Sequence, residues 1–152
     1  MNHPRYFEDL KLNDQFLGST YHLTSDEIVK FALTYDPQSF HIEPEKAADS
    51  FFGQHVASGW QVASLGMRLL VLGEHNFAGG MIGLGVERIR WKKPTLPNTD
   101  IKMVSTVTQL RRSGKFPKHG IVKLHHVIKN AKDEIELAEM DTIQIVLLKT
   151  IS

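Results

Sequence analysis

The sequence predicts an α+β fold in which an antiparallel sheet wraps around one long buried helix. Three observations carry that expectation. Residues 58–74 form a helical run that is apolar around nearly its whole circumference, as expected of a helix enclosed by protein. Four strand-like runs follow, at about 82–91, 101–110, 121–130 and 134–149. The links between them are short and rich in turn-formers, so the strands are expected to pair antiparallel in sequence order, as a meander.

Length and composition fit this picture. The 152 residues suffice for one domain, expected to span 1–152 with residues 1–15 as an N-terminal arm. Hydrophobic residues make up 41% and charged residues 23%, ordinary for a soluble globular protein. A net charge of +1 provides no bulk field for nucleic acid or a membrane surface, and neither is expected as a partner. There are no cysteines, which excludes disulfides, thiol catalysis and Cys-ligated zinc. No metal site is expected. The N-terminus lacks a basic segment followed by an apolar one, and the longest apolar run, residues 60–72, is shorter than the roughly 18 residues of a membrane span. A cytoplasmic location is the resulting expectation.

In chain order, the polar stretch 1–13 reads as a surface lead-in and 16–23 as a first strand weakened by Gly18. Thr24 with Glu27 three residues later is a capping box, and Ile28, Phe31, Ala32 and Tyr35 then follow helical spacing. Pro37 stops that helix, because the residue before a proline is pushed out of the α region. A short helix is expected over 43–50, with Pro44 in its first turn, followed by a connector over 51–57. Gly79-Gly80 separates the long helix from the strands.

Two stretches carry candidate chemistry. In Tyr35-Asp36-Pro37-Gln38-Ser39-Phe40-His41, an acid and an imidazole stand five residues apart in a loop. Together they are able to hold a water and move its proton. On spacing alone the plainer reading is Asp36 as a turn cap before Pro37 and His41 as a surface histidine. The second stretch is Ser58-Gly59, at the start of the long helix. The first helical N–H groups lack partners, and glycine admits close approach of a carbonyl oxygen that gains charge. An ordinary serine cap is the plainer reading of that pair.

Together the two stretches resemble MaoC-like dehydratases and (R)-specific enoyl-CoA hydratases. Asp36 and His41 keep the spacing of that family's Asp-x-x-x-x-His motif, usually Gly-Asp-x-Asn-Pro-x-His. Gly59 matches the glycine opening the family's buried helix, Ala63-Ser64-Leu65 is similar to its Ala-Ser-Leu, and residues 93–100 resemble its Arg-Pro-Val-x-Pro-Gly-Asp linker. Four positions depart: Tyr35 replaces the glycine, Gln38-Ser39 the Asn-Pro, and Ser58 a frequent histidine.

The resemblance implies a hot-dog fold assembled as a homodimer or a multiple of dimers, hexamer included. It implies hydration or dehydration of a 2-enoyl-CoA thioester, with no cofactor beyond the coenzyme A of the substrate. Asp36 and His41 would activate water, and the Gly59 N–H would polarise the thioester carbonyl. Ser58, Gln38, Ser39, His55 and Trp60 are the expected substrate contacts. Two alternatives remain open on the same fold: a non-catalytic acyl-CoA-binding subunit and an acyl-CoA thioesterase.

Other features are weaker. His125 and His126 fall on opposite faces of a strand and cannot share a metal. Arg88, Arg90, Lys92 and Lys93, with Arg111, Arg112, Lys115 and Lys118, form a basic half suited either to coenzyme A phosphates or to a solvated face. Phe40, Phe51, Phe52, Trp60 and Phe77 either line a pocket or fill the core, and Trp60 is assigned to the core.

Overall fold

The computed structural model describes residues 3–150. Its elements in order are β1 (Gln15–Leu17), β2 (Tyr21–Leu23), α1 (Ser25–Tyr35), α2 (Ser39–Ile42), α3 (Pro44–Ala47), α4 (Gly59–Val71), β3 (Met81–Trp91), β4 (Thr99–Arg112), β5 (His119–Asn130) and β6 (Glu136–Leu147). The expected hot-dog arrangement is present: one antiparallel sheet curls around α4.

Sheet order differs from the expected meander. It runs β1-β4-β5-β6-β3, with β2 also on β4. Thus β3 does not pair with its successor in sequence but with β6, at the far edge. Residues 92–98 carry the chain across to β4, held by the Leu23 carbonyl, which accepts from the Asn98 N–H at 2.6 Å. The single strand expected over 16–23 is two strands. Gly18 interrupts it because its Cα sits against α4, 3.1–3.3 Å separating an added Cβ from Leu69.

Period-two alternation builds the inner face of the sheet. Ile101, Met103 and Val107 of β4, Val122, Leu124 and Ile128 of β5, and Ala138, Met140 and Val146 of β6 are buried against Val62, Leu69 and Leu70 of α4. Gly66 lets the helix approach: an added Cβ there would lie 2.9 Å from both Ile128 and Met140. As expected, His126 is buried on the inner face while His125 faces outward onto Asp141.

Only one face of α4 is covered. Trp60, Met67 and Val71 are 58%, 51% and 64% exposed, so the assignment of Trp60 to the core and of the whole helix surface to the interior is corrected. The cause is topological. A single sheet of this curvature reaches around one side of the helix and leaves β3 an open edge, with Ile82, Leu84 and Val86 also exposed.

The N-terminal lead-in is tied down from Arg5 onward. Arg5 exchanges backbone hydrogen bonds with Asn76 and Ala78, Phe7–Asp9 forms a 3-10 turn, and Leu10 is buried. Residues 1 and 2 lie outside the described part. No helix among the described residues is long and apolar enough to cross a membrane.

Candidate active site

The site forms where the end of α1 meets the start of α4. The capping box at the other end of α1 is made as expected: the Glu27 N–H donates to Thr24 Oγ1, and Glu27 Oε2 accepts from the Thr24 N–H at 2.9 Å. Pro37 ends the helix, leaving Asp36 as its C-cap with φ −149°. The following segment makes two single-turn helices: α2, which was not expected, and α3, a shorter form of the helix expected over 43–50, with Pro44 in its first turn. The first of them carries His41.

His41 is buried, and its orientation is fixed from both ends. Its Nδ1 lies 2.7 Å from the Val56 carbonyl. A carbonyl only accepts, so Nδ1 bears a proton and Nε2 is the nitrogen turned toward Asp36. His55 holds the backbone: its Nε2–H donates to the His41 carbonyl at 2.7 Å, and its Nδ1 accepts from Ser25 Oγ at 3.2 Å.

His41 Nε2 stands 3.2 Å from Asp36 Oδ2. The Asp36 carboxylate also accepts from Ser58 Oγ at 2.6 Å on Oδ2 and from Gln38 Nε2 at 2.7 Å on Oδ1. Burial would raise the Asp36 pKa, but the hydrogen bonds from Ser58 and Gln38 and the adjacent His41 outweigh it. The net result lies below the ordinary aspartate value. The site therefore sets a carboxylate oxygen and an imidazole nitrogen 3.2 Å apart, close enough for both to hydrogen-bond to one water.

Ser58 is the N-cap of α4, yet its hydroxyl makes no cap bond, because it donates to Asp36. The first N–H groups of the helix, beginning with Gly59, keep the positive end of the helix dipole uncapped. The Trp91 indole lies directly over Gly59: an added Cβ would sit 2.4–2.8 Å from its ring atoms.

A cavity of about 470 Å³ opens on these groups, lined by Asp36, Gln38, His41, Gly59 and Trp60 together with Phe40, Phe51, Phe52, Trp91 and Lys93. The structure thus brings Asp36, His41, Gly59, Gln38 and Trp60 together around one space. Ser58 reaches it through Asp36. His55 supports His41 from behind, and Ser39 is exposed at the start of α2; neither lines the cavity. Phe77 is in the core, edge-to-face with Phe16. Sequence reasoning missed Trp91, and it named Lys93 and the linker after it without tying them to this cavity. Ala57, just before the helix, donates its N–H to the Thr95 carbonyl at 2.9 Å, which locks that loop to the site. The loop's resemblance to the family linker was the available signal.

The basic half lies on the surface, and three of its residues are paired within the chain. Arg88 pairs with Asp141 and Glu139, Lys92 with Glu136 and Glu139, and Arg112 with Glu8. Lys93 makes no ion pair among the described residues and stands at the cavity.

Fold and site together define a hot-dog protein with an acid–imidazole pair at the start of its central helix. The family model for the MaoC like domain matches residues 11–130, and the chain belongs to that family. A solved MaoC-like dehydratase from Rhodospirillum rubrum is 31% identical, with a TM-score of 0.90 over 97% of this chain and 99% of that one. The uncharacterized protein YdeM of Bacillus subtilis (strain 168) is 27% identical over 128 residues, 83% of this chain and 88% of that protein. The (R)-hydratase of A. caviae shares the fold at 22% identity and a TM-score of 0.73, over 93% of this chain and 99% of that one.

Proposed function

We propose that this chain adds water to, or removes it from, the double bond of a 2-enoyl-CoA thioester. The observation that carries the reading is the Asp36–His41 pair, 3.2 Å apart, facing the same cavity as the uncapped Gly59 end of α4.

In the hydration direction, one water hydrogen-bonds to both Nε2 and Oδ2 from the cavity side. As its oxygen bonds to the β-carbon, Nε2 takes one of its protons. The electron pair of the double bond moves through the α-carbon onto the thioester oxygen, where the Gly59 N–H stabilises the charge. The imidazolium forms beside a carboxylate already held ionised, which favours the proton transfer. The enolate then collapses, and the α-carbon takes a proton from the pair, completing the addition of H and OH. Dehydration is the reverse. Ser58 and Gln38 fix the carboxylate, and His55 fixes the imidazole.

The working unit in this reading is a homodimer. The uncovered face of α4 and the open edge of β3 form one apolar surface, of the kind that association buries.

The direct test follows the enoyl-thioester absorbance with crotonyl-CoA and trans-2-decenoyl-CoA, with thiol release measured in parallel. Loss of the band without free thiol is expected. Thiol release from saturated acyl-CoA with an unchanged enoyl band would replace the reading with a thioesterase.

A further inference from the structure

Beyond the catalytic cavity, two more cavities follow along α4. One of about 270 Å³ shares Trp60 with the catalytic cavity. It shares Met67, Leu70, Val86 and Thr142 with the next, of about 340 Å³, which Gln144 also lines. From Trp60 to Met67 and Leu70 the helix rises about 10 to 15 Å. The polar residues on the walls are Ser64 of the helix and His126, Thr142 and Gln144 of the sheet; Ser105 lies behind His126, so that Ser105, His126, Thr142 and Gln144 meet end to end.

The hydrogen bonds of that row have a determinate direction. Ser105 is fully buried and its hydroxyl meets only His126 Nδ1, at 2.8 Å, so it donates there. His126 is 2% exposed, and burial holds its pKa down at about 4, so the ring is neutral and Nε2 carries the one proton. Nε2–H donates to Thr142 Oγ1 at 2.8 Å, and the Thr142 hydroxyl donates to Gln144 Oε1 at 2.9 Å. Every hydrogen is thereby assigned, and the row ends on the Gln144 amide nitrogen. That nitrogen has no partner among the described residues, although Gln144 is only 3% exposed. An unsatisfied buried donor is costly, and the broad terminal torsion of glutamine lets the amide tilt toward the cavity. The missing partner is an acceptor. No Lys or Arg lines either cavity, so a carboxylate there would be buried uncompensated, and a neutral oxygen fits instead.

We propose that the channel beneath α4 takes an acyl chain bearing a neutral hydrogen-bond-accepting oxygen, such as a keto group, near its far end, and that Gln144 recognises it. The inference rests on the hydration reading for its direction of entry: the thioester lies at Gly59 and the chain runs along the helix. Thr142 and His126 hold the glutamine in place, and Gln144 sets specificity without touching the reacting atoms.

The test compares crotonyl-CoA, trans-2-decenoyl-CoA and 9-oxo-trans-2-decenoyl-CoA on wild type and Gln144→Met, a substitution of similar shape whose fold is checked by circular dichroism. Wild type is expected to favour the oxo substrate over the plain ten-carbon one by about tenfold in kcat/KM, the value of one hydrogen bond. In Gln144→Met that preference disappears, while crotonyl-CoA, too short to reach, is turned over as before. Thr142→Val, which releases the amide from its anchor, is the second variant and weakens the preference in the same direction. Equal treatment of the two long substrates by wild type, or a preference that survives Gln144→Met, overturns the proposal. So does turnover of crotonyl-CoA with rejection of both long substrates, which marks a channel filled by a second copy of the chain. If no enoyl-CoA is hydrated, the hydration reading itself has failed. Calorimetric binding of decanoyl-CoA and 9-oxodecanoyl-CoA then decides the subsite alone: a tenfold preference lost in Gln144→Met supports it, and equal binding overturns it.

Discussion

Ser58 shows how one residue sets the chemistry of another. By donating to Asp36 it helps hold the carboxylate ionised, and by making no cap bond it leaves the first turn of the helix, with its positive dipole end, uncapped. Ser58→Ala removes a hydrogen bond to a charged group, worth about 1.5–3 kcal/mol. Turnover is expected to fall by at least about tenfold, and the acid limb of the kcat profile to move to higher pH, because the depressed Asp36 pKa rises. A pH–rate profile of the folded variant checks both. Gly59 is constrained just as tightly. In Gly59→Ala the new methyl enters the Trp91 ring, so Trp91 must swing away. The expected result is a changed tryptophan emission and a loss of turnover that Trp91→Ala partly relieves in the double variant. Of these residues, the Asp36 and His41 pair was legible in sequence because the two stand five residues apart; the structure puts His41 on the short helix α2, where a loop was expected. The Ser58 contact and the Trp91 roof were not, since each joins segments far apart in the chain.

At the scale of elements, helix starts and stops were the most legible features. The capping box at Thr24 and the stop at Pro37 depend only on neighbours in sequence, and both form. Pairing order was not legible, because turn chemistry fixes where strands end and not which edge they join. The transfer of β3 to β6 arises from wrapping the sheet around α4. The apolar circumference of α4 was also read as full burial within one chain, whereas one half faces outward. On the covered half, Gly66 sets the helix–sheet distance. Gly66→Val forces Ile128 and Met140 apart and is expected to lower stability by about 1–3 kcal/mol, the usual cost of overpacking. Denaturant unfolding measures it.

The whole molecule has two expected properties beyond its reaction. The first is association. Sedimentation is expected to give a dimer, and a Leu84→Lys, Val86→Lys double variant on the exposed edge is expected to shift it toward monomer. The second is acid lability. His75 and His126 are buried with pKa values lowered by desolvation from 6.5 to about 4. Above about pH 6.5 both are neutral folded or unfolded, and neither imposes a penalty. Between there and pH 4 the unfolded chain takes up protons that the folded one refuses, so stability falls with pH by about 3 kcal/mol per histidine. Thermal unfolding at a series of pH values checks this, and His126→Gln is expected to flatten the slope.

The central claim is that Asp36 and His41 act on one water. Its most direct test is the turnover number of Asp36→Asn and of His41→Ala on a 2-enoyl-CoA that wild type hydrates, with the fold of each verified. Each substitution is expected to lower kcat by more than about 100-fold, the lower end of acid–base catalysis. Near-normal turnover in both folded variants would contradict the account and place the chemistry elsewhere in the cavity.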